Sequence, residues 1–327
     1  MIRFRPFLNR DPPALAEIWR GHVAPRAIYQ PMSAALLDLH VLAKPYFDKN
    51  DLIVAEDGGS IQGFVHVAIL SSLGESHSPL TDGSSAEGSP ADGVVCMLLV
   101  RPDLWRTELA GELLAQGERR LQALGARTIH GYGGPLLNPF YLGLYGGSES
   151  RGVLDSDAEV QRALAAAGYA LTDRFVILHR DLASFRAPVN RSQLQARRVT
   201  TVQVDRDPAA ANWRQACALS PFDRWRFDLV PRDAGSVCGT VAFWVMEPLC
   251  QRWGVRAVGL VGLAVDSTRR RQGLATCLVS DAFRQLQAEG FTVVEAQAAL
   301  TDTASLQMFR GLGFAEVEQG STYRKQV

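Results

Sequence analysis

Asp266-Ser267-Thr268-Arg269-Arg270-Arg271-Gln272-Gly273-Leu274-Ala275-Thr276-Cys277-Leu278 is the stretch on which the fold turns. An apolar, strand-like run over 258–265 precedes it, and from Leu274 to Ala288 apolar residues recur at intervals of three and four. That spacing predicts a strand, a tight turn and a helix entered at Gly273. A helix N-terminus offers unpaired backbone N–H groups and the positive end of the helix dipole, which together favour a phosphate or pyrophosphate. Gly273 lets the backbone approach such an anion, Arg270 and Arg271 supply charge, and Ala275 leaves room for oxygen atoms.

The same wording occurs twice in the chain. Asp57, Gly59, Ser60 and Gly63 lie on Asp233, Gly235, Ser236 and Gly239, each set reading as a hairpin turn leading into a β-rich return strand. Met97-Leu98-Leu99-Val100 lies on Gly262-Leu263-Ala264-Val265, and amphipathic helices over 109–124 and 274–288 follow. Strands over 127–131 and 292–296 come next, so the repeated order is strand, helix, strand, which requires parallel neighbours within a mixed sheet. The fold class expected is α+β: a mixed, largely antiparallel sheet with a central parallel pair, flanked by helices, in two tandem domains over 1–185 and 196–327. The boundary falls where periodicity breaks, near 183–195, before a new strand over 198–204. The first copy carries two insertions, a Ser/Gly/Pro/Asp-rich loop near 71–93 and another near 146–159.

On these residues the second copy resembles the GNAT superfamily of N-acyltransferases. Arg270, Gly273 and Ala275 match its Q/R-x-x-G-x-G/A coenzyme loop. Asp302, Ser305, Phe309, Gly313 and Phe314 follow the spacing of its terminal N-x-x-A-x-x-x-Y-x-x-x-G-F helix. The resemblance implies acetyl-CoA as cosubstrate, lying in a splay between the strands over 258–265 and 292–296, with no metal. It implies coenzyme contacts from Leu263, Ala264 and Val265, from the turn residues Arg270, Arg271, Gln272, Gly273, Leu274, Ala275 and Thr276, and from Asp302, Ser305 and Phe309. A backbone N–H at Val265 or a neighbour would polarise the thioester carbonyl.

Aminolysis of a thioester needs a neutral amine, a stabilised oxyanion and a proton for the thiolate. Phe309 stands where many members have a tyrosine, and Phe has no donor, so the proton is expected from water or from another hydroxyl such as that of Tyr323. For the base, Glu295 is the carboxylate indicated by analogy with the splay, and Glu247 is the alternative. Trp225 and Arg226 fall on the acceptor side. The first copy puts Trp105 at the Arg270 position and Glu108 at that of Gly273, and a carboxylate there repels pyrophosphate. That copy is therefore expected not to bind acetyl-CoA in the usual manner, although Asn138 and Tyr145 keep the spacing of Asp302 and Phe309.

Composition is that of an ordinary globular chain: 47% hydrophobic, 21% charged and formally neutral over 327 residues, with nothing that points to a nucleic-acid or membrane partner. The N-terminus has no signal-peptide pattern, and the reading is a cytoplasmic protein. Five scattered cysteines lack metal-ligand spacing, and the six histidines show no carboxylate at ligand spacing along the chain. The function expected is transfer of an acetyl group from acetyl-CoA to a primary amine of a small molecule or peptide, by a monomer or homodimer. The alternatives are a non-catalytic acetyl-CoA sensor or interaction module, and acyl transfer to the amine of a small-thiol precursor.

Overall fold

The computed structural model describes residues 1–22, 28–69, 91–133, 138–210, 213–219, 221–233 and 235–327, without the side chains of Ala91 and residues 213–215. Most of the expected loop near 71–93 lies outside the described residues; its last three residues open a strand. The chain divides into two compact units, 1–175 with 211–218 and 319–327, and 176–210 with 219–318. The final residues therefore belong to the first unit, and the segments are not simply the halves 1–185 and 196–327.

In the first unit β1 (Arg3–Pro6), β2 (Leu52–Asp57), β3 (Ser60–Ile69), β4 (Ala91–Val100), β5 (Ala126–Gly131) and the end of the C-terminal strand lie side by side in that order. Gly58 and Gly59, both at positive φ, make the β2–β3 turn. Strands β4 and β5 are parallel, joined by helix α3 (Leu109–Ala123), whose Gly117 lets it sit closely on Val65 and Val67 of β3. The segment 146–159 is not an open loop. Ser148, Val153 and Leu154 are buried, and β6 (Val153–Leu154) pairs with the C-terminal strand.

Behind β3 this unit also buries charge. Lys44 is 8% exposed and donates to the Pro139 carbonyl at 2.9 Å. Burial lowers its ammonium from 10.5 to about 8. The folded state therefore releases a proton at lower pH than the unfolded chain does, unfolding takes one up between these values, and stability rises as pH climbs through that window. Lys44→Met is expected to raise the melting temperature at pH 7, by the equivalent of about 2–3 kcal/mol. That advantage should shrink by pH 10.5, which melting curves at the two pH values would test.

The second unit runs in the order β7 (Ala170–Asp181, from residue 176), β12 (Val293–Ala299), β11 (Ala257–Val265), β10 (Gly239–Val245), β9 (Arg224–Pro231) and β8 (Thr200–Arg206). Helix α8 (Leu274–Ala288) begins and ends in the same register as α3, as the repeat requires. Its buried Leu274, Cys277, Leu278, Phe283 and Leu286 pack on Phe227, Phe243, Val258 and Val294. Each large side chain taken from water there contributes about 1.5–3 kcal/mol. Trp225 and Arg226 lie on a strand, with Trp225 facing this core.

The boundary region is irregular only as far as Asn190. Asn190 caps a helix α5 (Arg191–Val199) by accepting from the Gln193 N–H at 2.9 Å, and β8 starts only at Thr200. Its buried positions are Gln193 and Ala196, a polar and a small residue, so no apolar periodicity announces it.

Candidate active site

The turn after β11 is built by backbone conformation. Gly273 has φ 79°, and Arg271, which has a β-carbon, has φ 63°; both are left-handed. Asp266 accepts from the Thr268 N–H at 2.9 Å, and Arg270 Nε donates to the Val265 carbonyl at 3.2 Å. Gln193 of α5 donates from Nε2 to the Gly273 carbonyl at 3.0 Å. Arg270, Arg271 and Gln272 are exposed, and Gly273, Ala275 and Thr276 half-buried, at the N-terminus of a four-turn helix. Cationic, open and rich in unpaired N–H groups, the turn suits an anionic diphosphate. A β-carbon at Gly273 would come within 3.0 Å of Gln193 Nε2 and 3.1 Å of Ser192 Oγ, so this left-handed turn favours glycine both by backbone conformation and by space.

Beside the turn the sheet opens. The parallel ladder pairs Ala257 with Val293, Val258 with Val294 and Gly259 with Glu295, and among the described residues nothing continues it. From Leu260 onward β11 departs from β12. On its other edge β11 carries an extra residue opposite β10, where the register slips between Thr240/Ala264 and Ala242/Val261 and Gly262 adopts φ 63°. Such a bulge turns the strand and re-aims its peptide groups. Leu263, Ala264 and Val265 thus present a backbone edge toward the gap, the kind of edge on which an extended amide-bearing chain can bond.

Glu295 sits at the apex of the gap. It is 0% exposed and accepts from His179 Nε2, or donates to it, at 2.8 Å across 116 residues of sequence. His179 lies on β7 with its ring 5.0 Å from that of Trp253 in α7 (Glu247–Trp253). Val294 and Ala296 face the α8 core, so Glu295 and Gln297 face the opposite side of the sheet. In the register of β9, β10 and β11 that side also carries Arg226, held between Asp205 and Asp228 at 3.1 and 3.0 Å, with Thr240 donating to Asp228. Histidine–carboxylate pairing was invisible to spacing along the chain, yet the fold makes it here, at His22–Asp157 and at His130–Asp92. Glu247 begins α7.

Asp302 caps α9 (Thr303–Gly311) by accepting from the Ser305 N–H at 3.0 Å. Phe309 is enclosed in the core with its ring 5.0 Å from Phe314, so its side chain is committed to packing. Tyr323 is not brought to the turn within one unit. It pairs with Gly131 of β5 in the first unit, where its hydroxyl donates to Gln161 Oε1 at 3.3 Å and burial pushes its pKa up. Tyr145 is fully used as well, its hydroxyl donating to Asp157 at 3.0 Å and accepting from the Leu154 N–H at 3.1 Å.

Residues 194–314 match the acetyltransferase (GNAT) family. The matched segment lies within the second half of the chain, whose fold is GNAT-like. In fold, 99% of the chain superposes on the GCN5-related glucosamine N-acetyltransferase region of a fungal multi-domain GH3 β-N-acetylglucosaminidase, with TM-score 0.70 and 15% identity, and spans 38% of that chain. It is also similar to a tandem GNAT protein from the clavulanic acid biosynthesis pathway, with TM-score 0.63 and 14% identity over 100% of this chain and 98% of that one. A GCN5-related N-acetyltransferase from Sphaerobacter thermophilus gives TM-score 0.63 and 14% identity over 99% and 95%. At these identities the likeness is one of fold. No curated protein sequence matches the chain.

GNAT domains generally use acetyl-CoA, and the glycine turn beside a splayed strand pair fits its diphosphate and extended arm. Among the described residues no cluster of three or more His, Cys, Asp or Glu could hold a metal ion, and no helix is long and apolar enough to cross a membrane. In the first unit the equivalent groove, about 960 Å3, is lined by Trp105, Glu108, Glu112 and Glu159 over alanines, with Arg106, Arg162 and Lys325. Glu108 stands at the N-cap of α3 where the GNAT domain has Gly273.

Proposed function

We propose that the GNAT domain transfers an acetyl group from acetyl-CoA to a primary amine of a small molecule or peptide. The observation that carries this is the conjunction of a left-handed glycine turn at the head of α8 with a β11–β12 gap ending on a buried carboxylate. Acetyl-CoA supplies the activated acyl thioester. The α8 N-terminus with Arg270 and Arg271 binds the diphosphate, and the bulged edge at Leu263, Ala264 and Val265 orients the arm and meets charge developing on the carbonyl oxygen. Glu295, through its bond to His179, is the group that draws the proton from the attacking amine.

A second reading, binding without turnover, has Phe309 in its favour, because a core phenylalanine donates no proton. One experiment separates the two. Release of free coenzyme A from acetyl-CoA, followed across a panel of primary amines, is expected to be amine-dependent for at least one acceptor. Stabilisation of the protein by acetyl-CoA with no release on any acceptor selects the binding module, and neither effect removes both.

A further inference from the structure

The first unit repeats the strand pair that opens the GNAT domain, and the repeat can be followed bond by bond. Counting back from the hairpin pairs Gly63–Val100 and Gly239–Val265, Leu98 of β4 occupies the place of Leu263. Here too the parallel ladder stops short of that residue, its last pair being Val95 and Gly131. The gap that follows is filled. Tyr132, the next residue, bonds from its N–H to the Val95 carbonyl at 2.8 Å and then turns its side chain back along β4. Its hydroxyl donates to the Leu98 carbonyl at 2.7 Å and accepts from the Leu98 N–H at 3.0 Å.

One phenol oxygen thus satisfies both the donor and the acceptor of a strand residue whose ladder partner is missing. Tyr132 reaches it from φ 62°, a left-handed conformation unfavourable for a bulky residue and therefore held by its surroundings. The ring is 1% exposed and lies 5.1 Å from Tyr145. Asn138 closes the rest of the edge, donating to the Cys96 carbonyl at 2.8 Å. Burial drives the phenol pKa well up, so the hydroxyl keeps the proton that its bond to Leu98 requires. In the GNAT domain the same ladder register puts Gln297 at the Tyr132 position, so an amide stands there in place of the phenol.

We infer that the strand gap of the first unit is a phenol-binding site occupied by the chain's own Tyr132, and that this internal ligand, together with Glu108, keeps the first copy closed to acetyl-CoA. The inference rests on reading the β11–β12 gap of the GNAT domain as the acyl slot. It gives one open slot per chain.

Tyr132→Ala in the full chain leaves a ring-shaped hole beside the Tyr145 ring and the Leu98 peptide, the kind of cavity that takes up a small aromatic. The variant is expected to melt about 10 °C below the wild type. Millimolar p-cresol should restore part of the loss and leave the wild type unmoved, and toluene, with the ring but not the hydroxyl, should act at least about fivefold more weakly. Equal p-cresol shifts in both proteins, or toluene matching p-cresol, would overturn the inference. Should the variant not fold, Tyr132→Phe keeps the ring, and hydrogen exchange at the Leu98 amide must then accelerate; unchanged exchange is the contrary result. Equilibrium dialysis of the wild type should give one acetyl-CoA per chain. Two would refute a closed first copy, whereas none would remove the proposed function and leave the p-cresol and exchange measurements to decide on Tyr132.

Discussion

Replacing Gly273 by glutamate is expected to abolish the stabilisation by acetyl-CoA that the proposed function requires. Three effects act together at this position. The backbone at φ 79° resists any side chain, the new β-carbon meets Gln193 Nε2 at 3.0 Å and Ser192 Oγ at 3.1 Å, and the carboxylate lies at the helix end where the diphosphate is to sit. At a ligand concentration of about a hundred times Kd the wild type should gain about 2.7 kcal/mol of stability, which a thermal-shift measurement reads as several degrees. The variant should show none of it. Gly273→Ala, which keeps the steric and conformational conflict but adds no charge, should retain a reduced shift. Undiminished binding by the glutamate variant would place the diphosphate elsewhere. The first unit already carries this substitution in effect, since Glu108 stands at the head of α3.

Glu295→Gln should lower amine-dependent release of coenzyme A by about 10²- to 10⁴-fold, the usual contribution of a positioned base, while acetyl-CoA binding stays near the wild-type value. Glutamine keeps the volume and one acceptor for His179, so the fully buried site stays filled and the loss is chemical. The acid-side fall of the rate, which reports protonation of a base, should disappear or move with it. An unchanged rate and pH profile would end the role assigned to Glu295. Glu295→Ala is the wrong probe, because it leaves a cavity and a histidine without its carboxylate and would confuse stability with turnover.

The strand–turn–helix around Gly273, the repeat that relates it to Glu108, and the alternation of strands and helices were legible in the sequence. Each rests on local rules: apolar period, the conformational freedom of glycine, and capping chemistry at a helix start. The same rules missed α5, whose buried face is Gln193 and Ala196 and so has no apolar signature. They also treated 146–159 as an insertion loop, although packing buries it and pairs β6 with the last strand.

Sequence by itself determined the strand–turn–helix at Gly273 and the tandem GNAT-like plan, because both are written in residues that lie next to one another. Tertiary structure alone decided which side chains meet: His179 with Glu295, Tyr132 with the peptide of Leu98, Tyr323 with Gln161, and Phe309 with Phe314. Those meetings depend on strand order and ladder register, where a shift of one residue sends a side chain to the other face. Register is set by the summed packing of the core and has no local signature. The turn could therefore be read along the chain, while the histidine beside Glu295 and the phenol on the Leu98 peptide required the folded sheet.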